Sequence, residues 1–195
     1  MDNIEKIATE IKNEIIARKN KMNSDKPFIV SIDGRCASGK TTVASRLERE
    51  LDCNVIHLDQ FFLRPEQRTK ERLQIPGGNV DYERFLDEVL LPLHKGTFTS
   101  YRPFDCSKME LGDAISFPYK DSYILEGSYS CHQKLWDYID LHIFLSTDYQ
   151  MQLKRILNRN GLERLEAFKT RWIPMEEEYF KTFNIEDKCE LKYRT

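Results

Sequence analysis

The chain has 195 residues, enough for one domain with a substantial core. Hydrophobic residues make up 40% and charged residues 32%, a composition that excludes a disordered chain. Thirty basic residues against 32 acidic ones leave a formal charge of −2, so nothing global points to nucleic acid or an anionic membrane as a partner. No stretch has the length of an apolar transmembrane helix, and the charged N-terminus lacks the apolar centre of a secretory signal. Five scattered cysteines with no CxxC pair fit reduced thiols better than a disulfide framework or a zinc site. These features together predict a cytoplasmic protein, leaving its oligomeric state, including a homo-oligomer, open.

In chain order, Ile4, Ile7, Ile11 and Ile15 recur at helical spacing, and Ser24 to Pro27 ends that helix. Phe28 to Ile32 reads as a buried strand, Gly34 to Gly39 as a loop and Lys40 to Leu51 as a helix. Asn54 to Leu58 is a second short apolar run, followed by a turn at Pro76-Gly77-Gly78. Tyr82 to Lys95 is helical, with Gly96 suited to its end. Phe98 to Tyr101 and Ala114 to Phe117 predict a small hairpin outside the main sheet. Ser122 to Leu125 and Leu141 to Leu145 are further buried runs. Met151 to Asn158 and Leu162 to Trp172 are helical, Trp172-Ile173-Pro174 reads as a helix break, and Glu176 to Glu178 suit the first turn of a last helix. Strands alternating with helices predict an α/β fold with a mainly parallel sheet in one domain over 1–195, with a lid near 155–172.

Gly34-Arg-Cys-Ala-Ser-Gly-Lys40-Thr41 matches G-x-x-x-x-G-K-[ST] between a strand and a helix. Triphosphate oxygens need several donors at once, and such a loop turns successive backbone N–H groups inward at a helix N-terminus. Gly34, Ala37, Ser38, Gly39, Lys40, Thr41 and Thr42 are therefore the candidate ATP contacts. Lys40 would reach the β- and γ-phosphates, and Thr41 would ligate Mg²⁺. Cys36, inside the loop, reads as a tolerated small residue or as a redox-sensitive thiol.

Asp59 follows the second strand, where ligands sit in open α/β sheets. It is placed either to take a proton from an attacking hydroxyl or to cap the next segment. His57 reads as a half-buried strand residue. Glu126 ends the third apolar run, where it suits a Mg²⁺ shell or the hydroxyls of an acceptor.

The phosphate loop, Asp59-Gln-Phe-Phe62 and Glu126-Gly127 together resemble the uridine kinase and phosphoribulokinase-like family over most of residues 28–160. The resemblance implies a three-layer P-loop kinase with a parallel sheet, a small β-hairpin insertion and a helical lid. It also implies ATP-dependent phosphorylation of a small-molecule hydroxyl, commonly the 5′-hydroxyl of a nucleoside such as uridine or cytidine. By that likeness Asp59 is the general base and Phe62 flanks the acceptor. Asn79-Val80-Asp81 is similar to the family's Asn-x-Asp segment, so Asp81 would contact the sugar. Tyr101-Arg102-Pro103-Phe104-Asp105 is similar to its Tyr-x-x-Tyr-Asp stretch, which puts Tyr101, Arg102 and Phe104 at the acceptor, while Tyr101, Phe104 and Phe117 equally suit a small hairpin core. Phe104 stands where the family has Tyr, and Phe62 also lacks the phenol often found at its position, so hydroxyls that could read a base are missing.

Arg155 and Arg159 are four apart on a helix and share a face. They are candidates to stabilise the moving phosphoryl group, although Arg159-Asn-Gly-Leu-Glu-Arg164 departs from the family's lid pattern. Arg64, Arg68, Lys70 and Arg72 read as a solvated basic run. The leading function is a small-molecule kinase. A nucleotide-binding regulatory module remains as an alternative, and the neutral charge disfavours a nucleic-acid motor. The sequence leaves the acceptor, ATP against GTP, and feedback control open.

Overall fold

Five strands of the chain form one parallel sheet. The computed structural model describes residues 3–22 and 26–195, so Ser24 and Asp25, in the expected break, lie outside the described residues. The first half comprises α1 (Asn3–Lys19), β1 (Phe28–Gly34), α2 (Lys40–Leu51), β2 (Asn54–His57), α3 (Lys70–Gln74), α4 (Tyr82–Phe85) and α5 (Leu91–His94). There follow β3 (Ser100–Tyr101), β4 (Phe104–Asp105), β5 (Glu110–Leu111), β6 (Ile115–Ser116), β7 (Ser122–Glu126) and β8 (Leu141–Ser146). The chain ends with α6 (Tyr149–Ala167), α7 (Ile173–Phe183), α8 (Ile185–Lys188) and β9 (Leu191–Arg194).

The sheet order is β2-β7-β1-β8-β9, with every pair parallel. All seven residues of β1 are buried, as a central strand covered on both faces requires. Side chains alternate across it. Ile29, Tyr123, Leu125 and Phe144 pack with Phe61, Phe85 and Tyr179 on one face. Val30, Ile32, Ile143 and Leu145 pack under Ile7 and Ile11 of α1 and Val43 and Leu47 of α2 on the other. This gives the three-layer α/β fold expected. Antiparallel β3–β6 encloses the inner pair β4–β5, which realises the small hairpin outside the main sheet.

Three elements differ from expectation. The edge strand β9 was not anticipated. Its four residues alternate between half-buried and exposed and carry two charges, so no apolar run marks it. The helix expected over 82–95 is α4 and α5 joined by a π turn at Leu86–Leu90. Pro92 lacks the N–H that an unbroken α-helix would donate to Glu88, which accounts for the altered ladder. Trp172-Ile173-Pro174 does not break the chain's course. A π turn at Phe168–Trp172 carries α6 into α7, and Pro174 sits in the first turn, where no N–H is needed. The interruption lies instead inside α6 at Gly161, with φ 79° and ψ 172°. Among the described residues no helix is long and apolar enough to cross a membrane.

The sheet brings the functional loops to one edge. Parallel register sets Ile32 beside Glu126, Glu126 beside His57, and Gly34 beside Leu145, so the loops after β1, β2 and β7 leave from the same carboxyl ends. Gly34 turns at φ 133°, and a Cβ there would stand 1.9 Å from the Leu145 carbonyl oxygen. Gly34→Ala should therefore lower stability by about 3 kcal/mol, from backbone strain and overpacking combined, as read by urea denaturation.

Candidate active site

The loop from Gly34 to Gly39 wraps the N-terminus of α2 and is held in shape from several sides. Asp33, fully buried, accepts hydrogen bonds from the backbone N–H of Tyr129 (3.0 Å) and Cys131 (2.9 Å) and from the Tyr179 hydroxyl (2.9 Å). Burial pushes its carboxyl up to about 6, against the downward pull of the Cys131 and Gly34 N–H groups, of Lys40 and of the Tyr179 hydroxyl. Arg35 forms a two-point ion pair with Glu177, at 2.6 and 3.1 Å. The Cys36 N–H donates to Glu176 Oε2 at 2.9 Å, and Ser128 Oγ donates to Glu176 Oε1 at 2.7 Å. Thus two of the three glutamates expected merely to suit a helix first turn reach across to the phosphate loop. Spacing within one helix carries no sign of such a long-range partner.

Lys40 Nζ donates to the carbonyls of Gly34 (2.8 Å) and Arg35 (3.0 Å), inside the curl of the loop. Arg155 Nη1 donates to the Ala37 carbonyl at 3.1 Å, and Thr195 Oγ1 donates to the Ser38 carbonyl at 3.0 Å. Ser38 Oγ is buried and has no hydrogen-bond partner among the described residues. Cys36 is buried, and its thiol is pushed far above its ordinary range by burial and by Glu176. An alkylating reagent at pH 8 should therefore label exposed Cys106 and leave Cys36 unmodified, as peptide mass spectrometry would show.

At the mouth of the loop, Thr41 Oγ1 donates to Glu126 at 3.2 Å, and His57 Nδ1 lies 2.6 Å from Glu126 Oε1. That contact draws the His57 imidazole upward from its ordinary pKa. Asp59 stands on the single 3-10 turn Leu58–Phe61 that follows β2. Its carboxyl is raised, first by desolvation and then by Glu126, while His57, Lys40 and Arg159 pull it down. These five side chains therefore share one field.

A cavity of about 860 Å³ opens over this edge. Its wall includes Ala37, Gly39, Lys40, Thr41, Thr42 and Glu126. Asp59, Phe62, Arg155 and Arg159 line it as well. The cavity thus brings together five of the seven phosphate-loop candidates, the acidic pair and the two arginines, while Gly34 and Ser38 are not part of its wall. Four acceptor candidates fall outside the wall. Asp81 is buried and caps α4, accepting from Arg84 N at 3.1 Å. Tyr101 is buried with its hydroxyl donated to Gln60 Oε1. Arg102 donates to the carbonyls of Gly112 and Leu111 within the hairpin. Phe104 is buried beneath the guanidinium of Arg68, 5.7 Å from its ring centroid. Their side chains are engaged by local structure that a motif cannot display.

Other residues take the wall positions. Asn79, 6% exposed, lines the cavity with an Oδ1 that has no hydrogen-bond partner among the described residues. Arg68 lines it too, whereas Arg72 of the same basic run is structural, bonded to Glu83 at 2.6 and 2.7 Å and stacked over Tyr82. Phe168 and Trp172 contribute apolar surface from the far side.

The residues present fit a nucleoside triphosphate with Mg²⁺. The buried, unpartnered Ser38 Oγ and the inward Lys40 suit phosphate oxygens, and the Thr41–Glu126 pair offers hard oxygen ligands. Among the described residues no group of three or more His, Cys, Asp or Glu is placed to hold a metal ion.

No family model matches the chain. Uridine-cytidine kinase B of Dictyostelium discoideum is 30% identical over 156 residues, covering 74% of this chain and 63% of that protein. Uridine kinase of Staphylococcus aureus is 30% identical over 147 residues, covering 70% of each. Among solved structures, D-glycerate 3-kinase of Cryptococcus neoformans superposes with a TM-score of 0.68 at 16% identity, over 91% of this chain and 88% of that one. That likeness shows the fold.

Proposed function

Because this chain belongs to the uridine kinase family of P-loop kinases, we propose that it transfers the γ-phosphoryl group of ATP to a hydroxyl group of a small molecule. The observation that carries the reading is the shared field of Asp59, Glu126, Lys40 and Arg159 at the mouth of the phosphate loop. A regulatory nucleotide switch needs no base for an acceptor, whereas transfer to a hydroxyl does, and this reading gives that role to Asp59. The relatives named for uridine and cytidine make the 5′-hydroxyl of a nucleoside the acceptor to test first.

In this reading the loop N–H groups from Ala37 to Thr42 and the Lys40 ammonium bind and orient the triphosphate. Thr41 and Glu126 would hold Mg²⁺, which when bound supplies charge neutralisation of the phosphates. Asp59 takes the proton from the acceptor hydroxyl as the oxygen becomes a nucleophile. Arg159, and Arg155 anchored on the Ala37 carbonyl, stabilise charge on the moving group. Phe62, together with Phe168 and Trp172, excludes water from the transfer site.

The base must be ionised to act. Asp59 has a raised carboxyl pKa, so kcat/KM should fall as pH drops through an acid limb lying above the ordinary aspartate value of 3.8, and flatten on the neutral side. A pH profile of kcat/KM checks this, and a profile flat to the limit of folding would count against Asp59.

A further inference from the structure

The acceptor wall carries a charge that the transfer chemistry does not use. Lys40 and five arginines line the cavity, against only Asp59, Glu126 and Glu176. Lys40, Arg155 and Arg159 belong to the phosphate loop or face the transfer site, as their contacts show. Arg68 stands apart, on the segment between Phe62 and α3. Its Nε donates to the Leu63 carbonyl at 2.8 Å, and its guanidinium lies against the Phe104 ring. One edge is thereby anchored, and the residue lines the cavity. Among the described residues Arg68 has no ion-pair partner, whereas the Arg64, Arg72 and Arg84 nearby each have a carboxylate. Asp59 and Cys106 line the same cavity as Arg68.

Asn79 adds a second polar group to that wall. The Leu63 N–H donates to the Asn79 carbonyl at 3.3 Å, and the Leu63 carbonyl accepts from Arg68 Nε, so Leu63 links the two residues. The Asn79 Oδ1 has no partner among the described residues and suits a donating hydroxyl. The rest of this wall, Phe62, Leu63, Leu73 and Met109, is apolar. A neutral nucleoside base offers the guanidinium acceptor atoms but no charge, while a carboxylate or phosphate would meet its planar fork with two charge-assisted hydrogen bonds and neutralise it.

Resting on the kinase reading above, we propose that the acceptor carries an anionic oxygen group, carboxylate or phosphate, held by Arg68, beside a hydroxyl accepted by Asn79. Arg68 is then the residue that decides acceptor class.

The test uses matched pairs that differ by one anionic group: uridine and orotidine, glycerol and glycerate, pantothenol and pantothenate, ribulose and ribulose 5-phosphate. Binding to the full chain is measured by calorimetry with Mg²⁺ and a non-hydrolysable ATP analogue. Turnover of the same compounds is measured with ATP. A charged member should bind more tightly than its neutral twin. Arg68→Gln should weaken it about ten- to hundredfold, and Arg68→Lys by less, with the analogue's affinity unchanged. If no charged member outbinds its twin, or if Arg68→Gln leaves the preference intact, the proposal is overturned. Turnover of a neutral member with no such preference would overturn it while the kinase reading stands. Arg68-dependent binding of a charged member without transfer to it would instead count against the kinase reading.

Discussion

Replacing Asp59 with asparagine should lower kcat by about a hundredfold to ten-thousandfold while leaving triphosphate binding in place, the range expected for loss of a positioned general base. The substitution keeps size and shape, so the 3-10 turn at Leu58–Phe61 should persist. Its electrostatic effect is also informative. Glu126 currently raises the Asp59 carboxyl, and removing one of two neighbouring negative charges eases the crowding of acids at the site. Nucleotide affinity should therefore hold or rise slightly as turnover collapses. Steady-state kinetics for kcat and calorimetry for ATP affinity separate the two effects. A loss of ATP affinity that matched the loss of turnover would recast Asp59 as part of the nucleotide site.

Lys40→Met should act on both quantities. The lysine side chain is buried within the loop, and its Nζ bonds the carbonyls of Gly34 and Arg35. Those bonds stabilise the curl before any phosphate arrives, and the ammonium offsets phosphate charge afterwards. Methionine preserves the aliphatic stem and removes the charge, so the fold should survive. We expect kcat to drop about a hundredfold to a thousandfold, as for loss of one preorganised electrostatic donor, with a higher KM for ATP. The Asp59 carboxyl should also move further upward, because one of the groups that lowers it is gone. The acid limb of any residual activity should shift to higher pH, which a repeated pH profile would reveal.

Much of this was legible in residues alone because the signals were local. A strand, the G-x-x-x-x-G-K-T loop and a helix follow one another without interruption from Phe28 to Leu51, and each is fixed by its own periodicity or motif. Asp59 and Glu126 could be placed because a parallel strand's carboxyl end is readable from where its apolar run stops. The acceptor wall was less legible. Tyr101 and Phe104 read in sequence either as base-stacking aromatics or as hairpin core, and in the fold both are buried, Phe104 beneath the guanidinium of Arg68. Asp81 and Asn79 are two apart and equally polar. The start of α4 takes Asp81 as its cap, leaving Asn79 for the cavity. The clasp of Glu176 and Glu177 on the loop joins residues about 140 positions apart, and no local pattern announces such a pairing.

The central claim, transfer of phosphate to an acceptor hydroxyl, is tested most directly by following label from γ-labelled ATP in the presence of Mg²⁺. The reaction would contain uridine, cytidine and the charged acceptors named above, with the Asp59→Asn protein run in parallel. The account predicts label on one acceptor with the intact protein and almost none with the variant. Label appearing only as free phosphate, at equal rates from both proteins, would contradict it.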